Sequence, residues 1–379
     1  MPSLLVTNDF PPKIGGIQSY LYELWRRLPA ADTTVFTTSY AGDRRWDARQ
    51  RFRVVRARES QFLPTRSLAQ RIDALAREVG ADVIFLDPWL PLGHLGPRLR
   101  AAPYVVVVHG AEVTVPGRLP GTRQLGARVL HRAAGVVAAS EYSARQATGA
   151  ARRLLRGVVV PPGVDHERFR PIDASERAAV RQAFGLDREQ PLVLGVSRLV
   201  PRKGFDTLLA AVARAGPGVQ VALAGSGRSQ RALEALARKL DLGARARVLG
   251  RVPDDALPLL YAAADVFAMP CRDRWLGLEA EGFGIVFLEA AAAGVAVVAG
   301  RSGGSDEAVV DGVSGLVVDG RNTDAVSGAL RTLLDDADLR ACMGQAGRER
   351  AVRDFSYDDL VRRLAPLAAG NLDDLGPLT

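Results

Sequence analysis

Two loops of this 379-residue sequence combine residue types that suit the chemistry of a diphosphate. In the first, residues 197–204, Arg198 and Lys203 follow a predicted strand and precede a predicted helix. A guanidinium and an ammonium at such a position can clamp a diphosphate leaving group and stabilise its charge. Two solvated surface cations are the alternative interpretation.

The second loop, residues 281–294, leads into an apolar, alanine-rich helix. Gly282 and Gly284 leave backbone N–H groups accessible at the helix N-terminus, where the helix dipole favours phosphate. Glu281 stands directly before the helix, and Glu289 lies within its apolar sequence. A carboxylate there needs hydrogen-bond donors, which ribose hydroxyls would supply, although a buried ion pair would also satisfy it.

A third loop, residues 8–16, follows the first predicted strand. Two prolines stiffen it, and Gly15 and Gly16 then open a helix where the backbone can approach a phosphate. The spacing matches neither the dinucleotide-binding fingerprint nor a Walker A loop. An ordinary tight strand-to-helix turn is the alternative here.

The elements that must position these loops form two series of alternating strands and helices, which predicts an α/β fold with doubly wound parallel sheets. The second series begins after the predicted linker at residues 161–163, Pro-Pro-Gly, which favours domains at 1–163 and 164–356. A helix near residues 358–364 is expected to stop before Pro366, and the segment 357–379 can pack back on the first domain. The predicted strands are 4–8, 34–38, 53–57, 83–87, 104–109 and 136–140, then 192–197, 219–224, 248–249, 266–269 and 295–299.

Composition excludes several classes of protein. No apolar run reaches the roughly 18–20 residues of a membrane span, and the N-terminus lacks the pattern of a signal peptide, so a cytoplasmic protein is expected. The two cysteines and four histidines have no metal-ligand spacing. The Asp-x-Asp at 336–338 falls in a polar helical stretch, so no metal site is predicted.

The basic excess lies in the first half of the chain. Residues 1–160 carry 23 Lys and Arg against 12 Asp and Glu, whereas the remainder carries 27 against 30. Such a surface suits an anionic membrane face, and the alternative is a solvated basic surface. No aromatic, zinc-finger or basic-zipper pattern supports nucleic-acid binding. The densest cluster comprises Arg44, Arg45, Arg49, Arg51, Arg53, Arg56 and Arg58.

Taken together, residues 197–204 and the Glu-x7-Glu motif at Glu281 and Glu289 resemble the retaining glycosyltransferases of family 4. The similarity extends over essentially the whole chain. It is strongest to actinobacterial GDP-mannose-dependent phosphatidylinositol mannoside mannosyltransferases. The resemblance implies the GT-B fold, in which two Rossmann-like domains face each other across a cleft that binds the donor. The segments most like that group are 8–20, 161–171, 197–204, 265–272 and 284–290.

The resemblance also implies roles for individual residues. Gly15 and Gly16 would approach the donor phosphates, and His109 would hydrogen-bond the transferred sugar. Arg198 and Lys203 would hold the diphosphate and stabilise the departing nucleotide.

In the second half, Glu281 would contact the sugar hydroxyls, and Glu289 would bind the ribose. The backbone of Phe283, Gly284 and Ile285 would lie beside Glu281. The guanine base would lie near residues 250–253, which include Val252.

The implied reaction transfers mannose from GDP-mannose to a phosphatidylinositol mannoside-type lipid. It proceeds with retention and without a metal or other cofactor, at the inner face of the cell membrane. Two alternatives remain open from the residues: a transferase that uses a UDP-sugar and a soluble acceptor, and a non-catalytic nucleotide-sugar-binding protein.

Overall fold

The computed structural model describes residues 1–110 and 121–378. Contacts within the chain separate two units. The first comprises Met1–Pro162 and the chain from Tyr357 onward, and the second comprises Gly163–Ser356. In the part of the chain that the structure describes, no helix is both long and apolar enough to cross a membrane.

Near-continuous Val, Leu and Ile sequences form the sheet of the first unit, as expected for parallel strands that are buried on both faces. Among the described residues this sheet has seven strands in the order β3-β2-β1-β4-β5-β6-β7, all paired in parallel. The strands are β1 (Ser3–Thr7), β2 (Thr33–Thr38), β3 (Arg53–Ala57), β4 (Val83–Asp87), β5 (Tyr104–Val108), β6 (Gly135–Ala138) and β7 (Gly157–Val159).

Helices cover both faces of that sheet and close two apolar cores. The last helix buries Tyr357, Leu360 and Leu364 in the same core as Leu24 and Trp25 of the first helix, so the end of the chain completes the first unit. The helices are α1 (Gly16–Trp25), α2 (Asp43–Asp47), α3 (Arg66–Glu78), α4 (Thr122–Arg132), α5 (Glu141–Ala151) and, at the end of the chain, Tyr357–Ala368; 3₁₀ turns span Ala30–Asp32 and Leu92–Arg98.

The second unit repeats the architecture around a single continuous core. Its six described strands, in the order β10-β9-β8-β11-β12-β13, are again parallel. The strands are β8 (Leu192–Val196), β9 (Gln220–Ala224), β10 (Ala246–Gly250), β11 (Val266–Met269), β12 (Ala296–Gly300) and β13 (Gly315–Val318). The helices are α6 (Ala174–Ala183), α7 (Phe205–Ala215), α8 (Gln230–Lys239), α9 (Leu257–Ala262), α10 (Ile285–Ala292), α11 (Ser305–Ala308), α12 (Thr323–Asp335) and α13 (Ala337–Asp354), with 3₁₀ turns at Pro201–Lys203 and Gly243–Arg245; the helix Tyr357–Ala368 is α14.

Both strand orders reverse direction at one point, between β1 and β4 in the first unit and between β8 and β11 in the second. In open parallel sheets, ligands bind outside the carboxyl ends of the strands at such a switch point. The fold thus confirms the expected pair of doubly wound Rossmann-like domains, and it directs attention to the loops that follow these four strands.

The sequence prediction of α14 is wrong at its end. The helix does not stop before Pro366 but continues through it to Ala368. A proline inside a helix loses one backbone hydrogen bond and crowds the preceding turn. Here Leu367 and Ala368 are buried in the core of the first unit, and this burial offsets the cost of the proline.

Candidate functional site

The loop after β8 brings Lys203 to the switch point of the second unit. A 3₁₀ turn over Pro201–Lys203 ends at Gly204, whose φ of 73° lies in the left-handed region. A Cβ at Gly204 would overlap the carbonyl oxygen of Pro270, which follows β11. Glycine is therefore required for the loop to pack against the end of β11, and this packing buries Lys203 to 5% exposure.

Lys203 lies in direct contact with Glu281, so the structure brings these two predicted residues together. The Lys203 ammonium donates to Glu281 Oε2 at 2.7 Å, and the Arg202 guanidinium donates to the same oxygen at 2.5 Å. Glu281 is only 7% exposed. Burial favours the neutral carboxyl, but the attraction of Lys203 and Arg202 outweighs it and lowers the Glu281 pKa to about 2. The site therefore holds a permanent carboxylate between two cations.

The backbone of Glu281 is fixed by the loop after β12. Its N–H donates to Ser302 Oγ at 3.0 Å, and the Ser302 hydroxyl donates in turn to Asp273 at 2.6 Å. The Gly304 N–H donates to the Glu281 carbonyl oxygen at 2.9 Å. The loops after β11 and β12 thus hold the carboxylate in place, and sequence reasoning had assigned no role to Ser302 or Asp273.

Helix α10 begins directly after Gly284, which has a φ of 92°. Phe283 is buried and packs against Phe355, with the two ring centroids 5.7 Å apart. Ile285 is the first residue of the helix, so the predicted backbone segment 283–285 does form a helix N-terminus. Its dipole favours an anion at this end.

Glu289 lies one turn further along α10. It accepts a hydrogen bond from the Tyr261 hydroxyl of α9 at 2.6 Å. Burial raises the pKa of Glu289, which opposes the effect of this hydrogen bond. Among the described residues Glu289 forms no salt bridge, and its hydrogen-bond partner there is the Tyr261 hydroxyl. Sequence reasoning missed Tyr261, whose spacing from Glu289 carries no recognisable signal.

Arg198 and Val252 stand apart from the Lys203–Glu281 pair. The Arg198 side chain is exposed, and within the described part of the chain no hydrogen bond or ion pair holds its guanidinium. Val252 follows β10, is half-buried and packs against the core of the second unit. Neither residue therefore forms a hydrogen bond or an ion pair with Lys203 or Glu281.

In the first unit, the loop after β1 is pinned by side chains on its neighbours. The Lys13 ammonium donates to the Asn8 carbonyl at 2.8 Å and to the Thr38 hydroxyl at 3.0 Å. Gly15, with extended backbone, caps α1 and is half-buried, whereas Gly16 is exposed as the first residue of the helix. The predicted glycine pair therefore lies at a helix N-terminus, as a phosphate-approaching loop requires.

His109 follows β5 and forms a buried polar chain with two neighbouring strands. Its Nε2 lies 2.5 Å from Asp87 Oδ1 at the end of β4, and the Thr7 hydroxyl at the end of β1 donates to Asp87 Oδ2 at 2.6 Å. Because a carboxylate can only accept, Nε2 is the nitrogen that carries the proton. The Tyr20 ring meets the His109 ring edge-on, with centroids 5.5 Å apart.

Sequence reasoning assigned no role to Asp87. The sequence did contain a signal, because Asp87 is a carboxylate at the end of the apolar strand Val83–Asp87. In the structure it is fully buried, and a buried carboxylate needs hydrogen-bond donors. Asp9 lies in the same cluster and accepts from Gln18 at 2.7 Å. Burial and the repulsion of Asp87 raise the pKa of Asp9.

No group of three or more His, Cys, Asp or Glu side chains arranged to hold a metal occurs among residues 1–110 and 121–378. Asp336, of the Asp-x-Asp sequence, accepts from the Leu339 N–H at 2.8 Å and caps α13. Its carboxylate therefore serves the helix terminus.

Two Rossmann-like domains with charged loops at their switch points define the class of two-domain α/β glycosyltransferases, and comparison with known proteins agrees. The family model described as Glycosyltransferase Family 4 matches residues 14–168, and the model described as Glycosyl transferases group 1 matches residues 176–350. The chain is a glycosyltransferase and belongs to family 4, as its loops predicted.

Among curated relatives, the chain is 40% identical to the GDP-mannose-dependent alpha-(1-6)-phosphatidylinositol monomannoside mannosyltransferase of Mycolicibacterium smegmatis, over 97% of this chain and 98% of that protein. It is 34% identical to the D-inositol 3-phosphate glycosyltransferase of Xylanimonas cellulosilytica, over 91% and 89% of the two chains. The crystal structure of Anabaena HepE in complex with UDP has the same fold, with a TM-score of 0.82 and 22% identity over 97% of this chain and 100% of that one.

Proposed function

We propose that this protein transfers mannose from GDP-mannose to a phosphatidylinositol mannoside at a membrane surface, with retention at the anomeric carbon. The observation that carries the proposal is the 40% identity to a mannosyltransferase of that specificity along nearly the full length of both chains. The buried Lys203–Glu281 pair at the switch point supplies the chemistry that such a reaction needs.

In the proposed reaction, Arg198 and Lys203 bind the diphosphate and stabilise the charge that develops on GDP as it leaves. Arg198 is exposed and has no partner within the described chain, so it can turn to an incoming phosphate without breaking an ion pair. The cationic side chains would neutralise the leaving group, which is why we propose that the enzyme needs no metal.

Glu281 and Glu289 would orient the donor. Glu281, kept ionised by its two cations, accepts from hydroxyls of the sugar. Glu289 accepts from the ribose, sharing its carboxylate with Tyr261. In the first unit, Gly15 and Gly16 approach the phosphates through their backbone, and His109 hydrogen-bonds the transferred sugar. The acceptor hydroxyl would attack on the face that the leaving phosphate occupies, and that phosphate would take its proton.

We propose further that the basic surface of the first unit binds the anionic bilayer in which the acceptor lies. Six of the seven clustered arginines are exposed, but one of these, Arg53, pairs with Glu78 at 2.6 Å, and the half-buried Arg56 pairs with Asp47 at 2.8 Å. Each exposed arginine near such a surface contributes about 1 kcal/mol. The five exposed arginines that form no ion pair with a described residue are Arg44, Arg45, Arg49, Arg51 and Arg58.

Co-sedimentation with vesicles tests this attachment. Binding to vesicles that contain anionic lipid should exceed binding to neutral ones, and it should weaken as salt rises from 50 to 500 mM, since screening shortens the range of the attraction. A variant with Arg44 and Arg45 changed to Gln should bind less, whereas the matched change of Arg152 and Arg153, which are also exposed but lie outside the cluster, should matter less. Equal binding to both kinds of vesicle would refute the attachment.

A second candidate acceptor is a soluble inositol phosphate, which the 34% identity to an inositol 3-phosphate glycosyltransferase favours. The lipid and the soluble compound share an inositol phosphate, so a common recognition chemistry serves both. The two acceptors differ in whether a bilayer is required.

The deciding experiment is a donor and acceptor screen without divalent metal. The protein is incubated with GDP-mannose or UDP-sugars, and with phosphatidylinositol monomannoside in vesicles or soluble inositol phosphate. GDP release with a mannosylated lipid product is expected. Turnover of a UDP-sugar alone, or of the soluble acceptor alone, would overturn the proposed donor or acceptor respectively, and activity that appears only with added Mg²⁺ or Mn²⁺ would overturn the metal independence.

A further inference from the structure

The two oxygens of the Glu281 carboxylate have different surroundings. Oε2 accepts from both Lys203 and Arg202, at 2.7 and 2.5 Å. No side chain or backbone group within the described residues donates to Oε1. A carboxylate offers about four acceptor positions, so Oε1 keeps its capacity for hydroxyl donors while Oε2 is occupied.

Both the side chain and the backbone of Arg202 contact neighbouring residues. Its Nε lies 3.9 Å from Glu279 Oε1, and its carbonyl oxygen accepts from the Arg272 N–H at 2.9 Å. The side chain is 14% exposed. A planar guanidinium between Glu279 and Glu281 sets a direction as well as a charge, because its donors form a rigid fork.

We propose that Arg202 is a positioning residue: together with Lys203 it holds Glu281 Oε2, so that Oε1 is the oxygen that receives the hydroxyls of the transferred sugar. The inference rests on the proposed function of this site, in which Glu281 contacts the sugar. In this arrangement Arg198 and Lys203 bind the phosphates, and Arg202 does not contact them.

The test compares GDP with GDP-mannose, which adds the sugar and carries less negative charge on its terminal phosphate. The affinities of GDP and GDP-mannose are measured by calorimetry for the wild type and for Arg202→Gln. Any long-range effect of the lost charge weakens GDP at least as much as GDP-mannose, since GDP carries more negative charge, so it does not by itself lower the sugar-dependent gain in affinity. We expect the GDP affinity to change by less than about threefold, whereas the sugar-dependent gain in affinity and kcat each fall by about tenfold, the worth of a hydrogen bond to a charged group.

Two further variants guard against a loss of folding. Arg202→Lys keeps the charge and one donor, and should recover part of the sugar-dependent gain. Arg272→Gln removes a neighbouring guanidinium that pairs with Asp206 at 2.6 Å, and should leave the ratio of affinities unchanged. The thermal unfolding of all variants is compared with that of the wild type.

An equal loss of GDP and GDP-mannose affinity in Arg202→Gln would make Arg202 a phosphate ligand and overturn the proposal. An unchanged ratio with unchanged kcat would make it a spectator, which also overturns it. Failure of the proposed function is recognised separately, because the wild type would then transfer no mannose from GDP-mannose in the donor and acceptor screen; the same ratio measured with UDP and a UDP-sugar would still test the role of Arg202.

Discussion

The two units share a strand order, but the side chains at their switch points differ in charge. In the second unit the loops after β8 and β11 bring two cations onto one carboxylate oxygen, and the Glu281 pKa falls to about 2. In the first unit, Asp87 at the end of β4 is bound by a hydroxyl and an imidazole, and no Lys or Arg among residues 1–110 and 121–378 forms a hydrogen bond or ion pair with it. The shared strand order places the candidate site of each unit at the same point of its sheet. The side chains there differ: those of the second unit suit a charged group, and those of the first unit suit neutral hydroxyls.

This contrast fits a division of labour between the units. Fixed cations that are already desolvated stabilise a diphosphate without reorganising during the reaction. A histidine held by a buried carboxylate in one tautomer suits hydrogen bonding to a sugar. We therefore expect changes of Lys203 to affect nucleotide binding, and changes of Asp87 or His109 to affect transfer with little effect on nucleotide affinity.

The largest effect is expected for Lys203→Ala. It removes the buried ammonium, so kcat/KM with GDP-mannose should fall about 10³-fold. One partner of a buried pair is also lost, and the free energy of unfolding should fall by roughly 3 kcal/mol. Steady-state kinetics and urea unfolding measure the two effects. The double variant Lys203→Ala/Glu281→Ala should recover stability but not activity; recovery of activity would show that Lys203 has only a structural role.

The contributions of Glu281 and Glu289 to stability should respond to pH in opposite directions. Glu281 has a folded-state pKa of about 2, below its ordinary value of 4.5, so its ion pair stabilises fully above about pH 5 and is lost as the pH falls towards 2. The stability difference between wild type and Glu281→Gln should therefore narrow by roughly 1 kcal/mol between pH 6 and pH 3.5.

Glu289 provides the matched comparison, because burial raises its pKa. Ionising it costs stability, so the wild type should gain stability relative to Glu289→Gln as the pH falls over the same range. Urea unfolding at both pH values measures both differences. If the two variants shift in the same direction, the distinction between a charge-paired and a hydroxyl-paired carboxylate fails.

A variant of the first unit tests the other side of the comparison. Asp87→Asn replaces an oxygen that accepts from His109 with an amide, so the imidazole loses its fixed tautomer and orientation. We expect kcat to fall about 10²-fold, in the range usual for a displaced catalytic histidine. GDP affinity, measured by calorimetry, should not change. A parallel loss of GDP affinity would contradict the division of labour.

The sequence predicted what depends on local pattern. Apolar strands alternating with helices predicted both sheets, and loop position singled out Lys203, Glu281 and Glu289. Short or polar elements were missed: β13 is only Gly315–Val318, and α6 depends on the capping box of Asp173 and Glu176. The roles of Arg202, Asp87 and Tyr261 were missed because each residue contacts its partner only in the folded chain. The partners, Glu281, His109 and Glu289, are 22 to 79 positions away in sequence. Sequence spacing carries no record of such contacts.

The smallest expected effect belongs to Tyr261→Phe, which leaves Glu289 without its hydroxyl donor. A hydrogen bond to a charged group contributes about 1.5–3 kcal/mol. Without it the Glu289 carboxylate is no longer held in the orientation that receives the ribose, so GDP affinity should fall about threefold. Tyr20→Phe is the matched control, because its buried hydroxyl donates to the Val160 carbonyl at 2.8 Å in the first unit. Both variants should lose similar stability, but only Tyr261→Phe should weaken GDP binding. If Tyr20→Phe weakens it equally, nucleotide affinity depends on both units and the contrast between them must be redrawn.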